Sequence, residues 1–116
     1  MTKILEVHLS PEAEETYNYL KKQAKIAKIE RTILNALHKK SELIKTFPDY
    51  GDKIPQKLIP QKYKIKYGIT NLFRVELPNF WRMLYTIKGH NIEIIAFVLD
   101  ILNHKDYNKK FGYKKK

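Results

Sequence analysis

The chain has no cysteine, which excludes disulfides and thiolate-held zinc, haem or iron–sulfur groups. It has only four glycines, and none forms a phosphate-cradling loop motif. No apolar run approaches the ~18 residues that a membrane-spanning helix needs. The opening Met-Thr-Lys-Ile-Leu-Glu lacks the apolar core of a signal peptide. Acidic residues are scarce as well, with 12 Asp and Glu against 23 Lys and Arg and a net charge of +11. These features predict a cytoplasmic protein that uses no membrane, and 116 residues fit one domain.

Hydrophobic residues make up 43% of the chain, enough for a packed core. The positive charge points to a polyanionic partner, and its distribution sharpens that reading. Residues 1–47 carry nine basic and six acidic groups, whereas residues 48–116 carry fourteen and six. Lys53, Lys57, Lys62, Lys64 and Lys66 have only Asp52 among them. Lys105, Lys109, Lys110 and the final three lysines follow with Asp106 alone. A Lys-rich composition with a solvated tail accounts for part of this, but the segregation favours a binding face.

Residues 4–9 read as a short strand. Ser10-Pro11-Glu12 is a helix start, with a capping hydroxyl, a proline suited to the first helical position and acids near the positive helix end. Ala13, Tyr17, Leu20, Ala24 and Ala27 then share one helical face, and Ile29, Ile33, Leu37 and Ile44 form a second. Nothing in the sequence separates one long helix from a hairpin. A hairpin is favoured, because a helix from Pro11 to Thr46 is long for so small a domain.

Phe47 to Asp52 is a turn cluster, followed by a stretch punctuated by Pro55 and Pro60. Strands then alternate. Phe73, Val75 and Leu77 lie on one face with Arg74 and Glu76 on the other, and Trp81, Met83, Tyr85 and Ile87 alternate with Arg82, Leu84 and Thr86. Lys88 to Asn91 is a hairpin turn, and residues 92–101 form an apolar strand. The expected fold is a single α+β domain of order β-α-α-β-β-β. A helical hairpin covers one face of a mainly antiparallel four-stranded sheet, and a short C-terminal segment follows. The other face is expected to be more open and to display Arg74, Glu76 and Arg82.

This order, with HLSPEAEETYNYL, FPDYGDKIP, NLFRVEL, WRMLYTI and HKDYNKKFGY, resembles the RelE/ParE superfamily of toxins from toxin–antitoxin systems. The resemblance runs from Val7 to about Tyr113, so residues 1–113 are expected to form the toxin domain and 114–116 a basic tail. It implies an antitoxin as partner. RelE-like members are implied to cut mRNA on the ribosome, without metal or cofactor. ParE-like members inhibit gyrase without cutting RNA, and some relatives have no demonstrated activity, so a gyrase inhibitor and a catalytically inactive RNA-binding relative stand as alternatives and fold alone does not settle the activity.

Metal-free RNA cleavage needs a base for the ribose 2′-hydroxyl, cations for the phosphorane and an acid for the 5′-oxygen. Arg82 matches the family's arginine in its strand and is the phosphate-binding candidate. His104 and Tyr107 lie where the family carries catalytic side chains near the C-terminus, and Tyr113 is an alternative to Tyr107. Glu76 is a base candidate and Arg74 a second phosphate ligand, although a cross-strand salt bridge on an exposed sheet is the favoured account of Glu76. Lys57, Lys62, Lys64, Lys66, Lys105, Lys109 and Lys110 are expected to contact RNA backbone without reading sequence. His8, His38 and His90 form no metal-ligand spacing. The chain departs from many RelE-like nucleases in having only Arg31, Arg74 and Arg82 as arginines.

Overall fold

The computed structural model describes residues 6–89 and 91–98. The elements run β1 (Val7–Leu9), α1 (Pro11–Gln23), α2 (Lys28–Thr46), β2 (Asp52–Lys53), α3 (Gln61–Tyr67), β3 (Phe73–Glu76), β4 (Arg82–Lys88) and β5 (Asn91–Val98). A single 3₁₀ turn occupies Gln56–Leu58, and Pro78–Phe80 forms a turn whose dihedrals are not helical.

Ser10 starts α1 as its position predicts. Its Oγ accepts the Ala13 N–H at 3.1 Å and donates to the Ile95 carbonyl, joining the helix end to the sheet. The helices form a hairpin. Ala27 is extended (φ −132°, ψ 126°) between them, and the Arg31 Nε–H donates to the freed Ala24 carbonyl at 3.4 Å. Ala24 and Ala27 therefore lie in the connection rather than on a continuous helical face. Ile29, in the first turn of α2, is half exposed instead of joining the core stripe.

The sheet order is β1-β5-β4-β3-β2, with β1 parallel to β5 and every other pair antiparallel. The sheet is thus α+β and mainly antiparallel as expected, but it has five strands rather than four. The additional strand, β2, is only two residues long. It pairs Asp52 with Arg74 and Lys53 with Phe73, a length that leaves no periodic signal in the sequence. At the hairpin Lys88 pairs with Asn91, and Gly89 takes φ +59°.

Two apolar clusters sandwich the sheet. On one face Ala13, Leu20, Ile33, Leu37 and Ile44 pack on Phe73, Val75, Trp81, Met83, Tyr85, Ile92 and Ile94. On the other, Ile54, Ile59, Tyr63, Ile69 and Leu72 cover Leu84 and Ile95. The second face is therefore not open along its length. The proline-punctuated segment folds as a cover, with the unexpected α3 between Pro60 and the left-handed Gly68 (φ +61°). Pro60 and Gly68 delimit a helix of seven residues, too short for periodicity to reveal. Arg74, Glu76 and Arg82 lie on the same face as Leu84, at one end of the β3–β4 pair.

Candidate functional site

Period-two alternation brings three charged side chains to that end of the pair. Glu76 is directly opposite Arg82 in the β3–β4 register, and Arg74 is opposite Leu84. Directly paired residues share a face with Cβ atoms about 5 Å apart, so Arg74, Glu76 and Arg82 form one cluster. Glu76 is exposed, while Arg74 and Arg82 are half-buried. The Arg74 Nη2 lies 3.4 Å from the Asp52 carboxylate across β2.

The approach to Arg82 is a strained turn. Asn79 (φ 59°) and Phe80 (φ 65°) are both left-handed, and the Leu77 N–H closes the turn on the Trp81 carbonyl at 2.8 Å. Asparagine tolerates this conformation, whereas phenylalanine rarely adopts it. The exposed Phe80 carbonyl accepts from Arg82 Nη1 at 3.2 Å, so the turn holds the guanidinium at the strand's start.

Beside this cluster, a cleft of about 320 Å³ wraps the edge of β3. Lys40, Tyr50, Gly51, Asp52, Arg74, Val75 and Glu76 line it. The loop forming its wall is fastened from inside. The buried Tyr85 hydroxyl donates to the Pro48 carbonyl at 2.6 Å and accepts the Gly51 N–H at 3.0 Å. Tyr85 is also stacked on Phe73, with ring centroids 5.0 Å apart. Burial is the main cause that pushes its phenol above the ordinary value, so the donating form persists. Lys40 Nζ donates to the Tyr50 hydroxyl at 2.9 Å. Lys40 and Tyr50 were not legible as site residues: one looks like a helix-surface lysine, the other like part of a turn. Only the fold brings them beside Arg74 and Glu76.

Among the described residues, the predicted lysines of α3 do not all share one helical face. Lys57 is exposed on its 3₁₀ turn. Lys62 and Lys66 are one helical turn apart on α3, while Lys64 lies about 160° away from Lys66 around the axis. Lys66 reaches Glu12 at the start of α1, and the Tyr67 hydroxyl donates to the same carboxylate. These bonds, Lys66 first and Tyr67 second, hold the Glu12 carboxyl down at about 2. Lys66 thereby clamps α3 to α1. His104, Tyr107, Tyr113, Lys105, Lys109, Lys110 and His90 lie outside the described residues. His8 contacts Glu6 at 3.1 Å, and His38 shares a 2.9 Å hydrogen bond with Tyr17. Among the described residues, no group of three or more His, Asp or Glu is placed to hold a metal ion. No described helix is long and apolar enough to cross a membrane.

A carboxylate between two guanidiniums supplies a proton acceptor and two anion-binding forks within one cluster. No family model matches the sequence, and no curated protein matches it. A solved structure matches in fold. The fold resembles that of YoeB. A YoeB dimer from Staphylococcus aureus superposes on 83% of this chain and 97% of its own, with a TM-score of 0.58 and 16% identical residues. The YoeB likeness is one of fold.

Proposed function

We propose that the chain is a RelE-like toxin that cuts mRNA on the ribosome in the cytoplasm and is neutralised by a cognate antitoxin. The observation that supports this reading is the Arg74–Glu76–Arg82 cluster on one face of a YoeB-like sheet. The net charge of +11 supports an RNA or ribosomal partner. In this mechanism Glu76 takes the 2′-hydroxyl proton as that oxygen attacks the adjacent phosphate. Arg82 and Arg74 bind the phosphate oxygens as charge grows on the phosphorane. A proton passes to the departing 5′-oxygen from His104 or Tyr107 of the C-terminal segment. The products are a 2′,3′-cyclic phosphate and a free 5′-hydroxyl. No step uses a metal or a cofactor.

The test adds purified protein to a translating extract and maps mRNA 5′ ends by primer extension. Wild type, Arg82→Ala and His104→Ala are run beside a ribosome-free control. Ribosome-dependent cuts that disappear in both variants support the reading. A folded wild type that leaves mRNA intact overturns it, and a supercoiling assay then tests a ParE-like action on gyrase.

A further inference from the structure

The cleft at the edge of β3 has features that the three-residue cluster does not require. Its volume of about 320 Å³ is at the lower end of the range for small-ligand sites and is suited to one nucleotide rather than a helix or a folded partner. Its wall is preorganised, because Tyr85 ties the Pro48 carbonyl and the Gly51 amide to the core. Gly51 is needed there. A Cβ at this position would lie 2.9 Å from the Arg74 carbonyl oxygen and 3.0 Å from both Tyr85 and Val75. The loop therefore runs hard against β3 and presents Tyr50 at the rim, two-fifths exposed.

The cleft's charges divide in a useful way. Arg74 faces Asp52 at 3.4 Å, and Glu76 is set opposite Arg82. Lys40 has a different partner. Its Nζ donates to a phenol hydroxyl and lies 5.3 Å from the centroid of that ring. Among the described residues no carboxylate lies within ion-pair distance of it. A cation beside an exposed aromatic ring is the pairing by which single-stranded nucleic acid is held without reading its sequence. Arg74 and Glu76 line both this cleft and the charged cluster, so a strand crossing one enters the other.

We propose that this cleft is a subsite for one nucleotide of single-stranded RNA, its base stacked on Tyr50 and its phosphate bound by Lys40. The nucleotide flanks the scissile one, so the proposal rests on the RNA-cleaving reading for the identity of the strand. Lys40 and Tyr50 position substrate and take no part in bond cleavage.

The experiment titrates the full chain into a fluorescein-labelled 2′-O-methyl RNA tetranucleotide, which has no 2′-hydroxyl to react, and reads anisotropy over a range of salt. Tyr50→Leu is expected to weaken binding about tenfold, while Tyr50→Trp binds at least as tightly as wild type. Lys40→Gln is expected to make the slope of log affinity against log salt shallower by about 0.7, the loss of one phosphate contact on a single strand. Lys88→Gln, which removes a cation that faces Glu93 at the other end of β4, serves as the control and leaves affinity unchanged. Equal affinity and slope for wild type, Tyr50→Leu and Lys40→Gln overturn the subsite. Weakening by Lys88→Gln equal to that by Lys40→Gln also overturns it, because general charge would then explain the binding. The primer-extension assay separates the two proposals. Ribosomal cuts unaffected by Tyr50→Leu with unchanged oligonucleotide binding sink the subsite and spare the nuclease. Oligonucleotide binding that depends on Tyr50 without any cut does the reverse.

Discussion

The Gly51 amide donates to the Tyr85 hydroxyl at 3.0 Å, joining a loop after the second helix to a strand residue 34 positions later. The same hydroxyl donates to Pro48 at 2.6 Å, so one buried phenol both gives and takes a hydrogen bond from the cleft wall. Tyr85→Phe removes both bonds and nothing else. It leaves the Pro48 carbonyl and the Gly51 amide without their buried partner, and net hydrogen bonds of this kind are worth about 1 kcal/mol each. A loss of about 1–3 kcal/mol is expected in urea unfolding, with an unchanged denaturant slope. Oligonucleotide affinity should fall as the loop loosens, even though Tyr85 is buried. An unchanged midpoint would show that the loop is held by other contacts.

Two glycines separate steric from conformational cost. At Gly51 an added Cβ meets backbone, the Arg74 carbonyl oxygen at 2.9 Å, so the strand or the loop must move. At Gly68 an added Cβ meets nothing within 4 Å, but φ is +61°. Gly68→Ala should therefore cost about 1–2 kcal/mol, the ordinary price of a left-handed residue with a side chain. Gly51→Ala should cost about 1–3 kcal/mol through overpacking and should also close the cleft to the tetranucleotide. Gly68→Ala should leave tetranucleotide binding intact. Thermal or urea unfolding of the two variants, each with one binding curve, checks both halves.

The elements that were legible in the sequence are those with a long period or a capping signature. Ser10-Pro11 fixed the start of α1, and the alternation of Phe73, Val75, Trp81, Met83 and Tyr85 set the buried face. That same alternation put Arg74, Glu76 and Arg82 on one face. Short elements were not legible. Two residues of β2 and seven of α3 are below the length at which periodicity speaks, so spacing does not reveal the cover over Leu84 and Ile95. Lys40 and Tyr50 escaped notice for another reason. Their significance depends on the loop meeting the edge of β3, a contact between distant segments that spacing does not encode.

The clamp between α1 and α3 predicts a distinct acid response. Glu12 has its carboxyl held down from 4.5 to about 2, first by Lys66 and then by Tyr67. A group with a depressed folded pKa contributes stability that is complete above the unfolded value and disappears as pH falls through the folded one. Wild-type stability should therefore decline between about pH 4.5 and pH 2 by more than that of Glu12→Gln. Both side chains are about half exposed, so solvent screening keeps the effect modest. The complementary signature is alkaline. The same pairing raises Lys66, and burial followed by the bond to Glu12 raises Tyr67. Their contributions should persist below about pH 10 and fade above it. Urea titrations across both ranges check the pair, and parallel pH profiles for wild type and Glu12→Gln would refute the clamp.

The charged end gives the most direct kinetic prediction. Arg82 is a half-buried guanidinium steered by the Phe80 carbonyl at 3.2 Å, and Glu76 sits across from it. If Glu76 is the base, Glu76→Gln keeps the shape of the residue and removes only its proton affinity. Cleavage on the ribosome should then slow by about 10²–10⁴-fold, the range for losing a positioned base. Oligonucleotide affinity should change little or rise, since a negative charge has left the RNA path. Arg82→Lys keeps the charge but loses the planar fork, so it should fall well short of wild type while remaining above Arg82→Ala. Arg74→Lys should do less harm, because Asp52 already occupies one side of that guanidinium at 3.4 Å. Single-turnover cleavage on programmed ribosomes ranks the four variants. If Glu76→Gln cuts at the wild-type rate while Arg82→Ala is dead, Glu76 is a structural partner of Arg82 and the proton acceptor must be sought elsewhere.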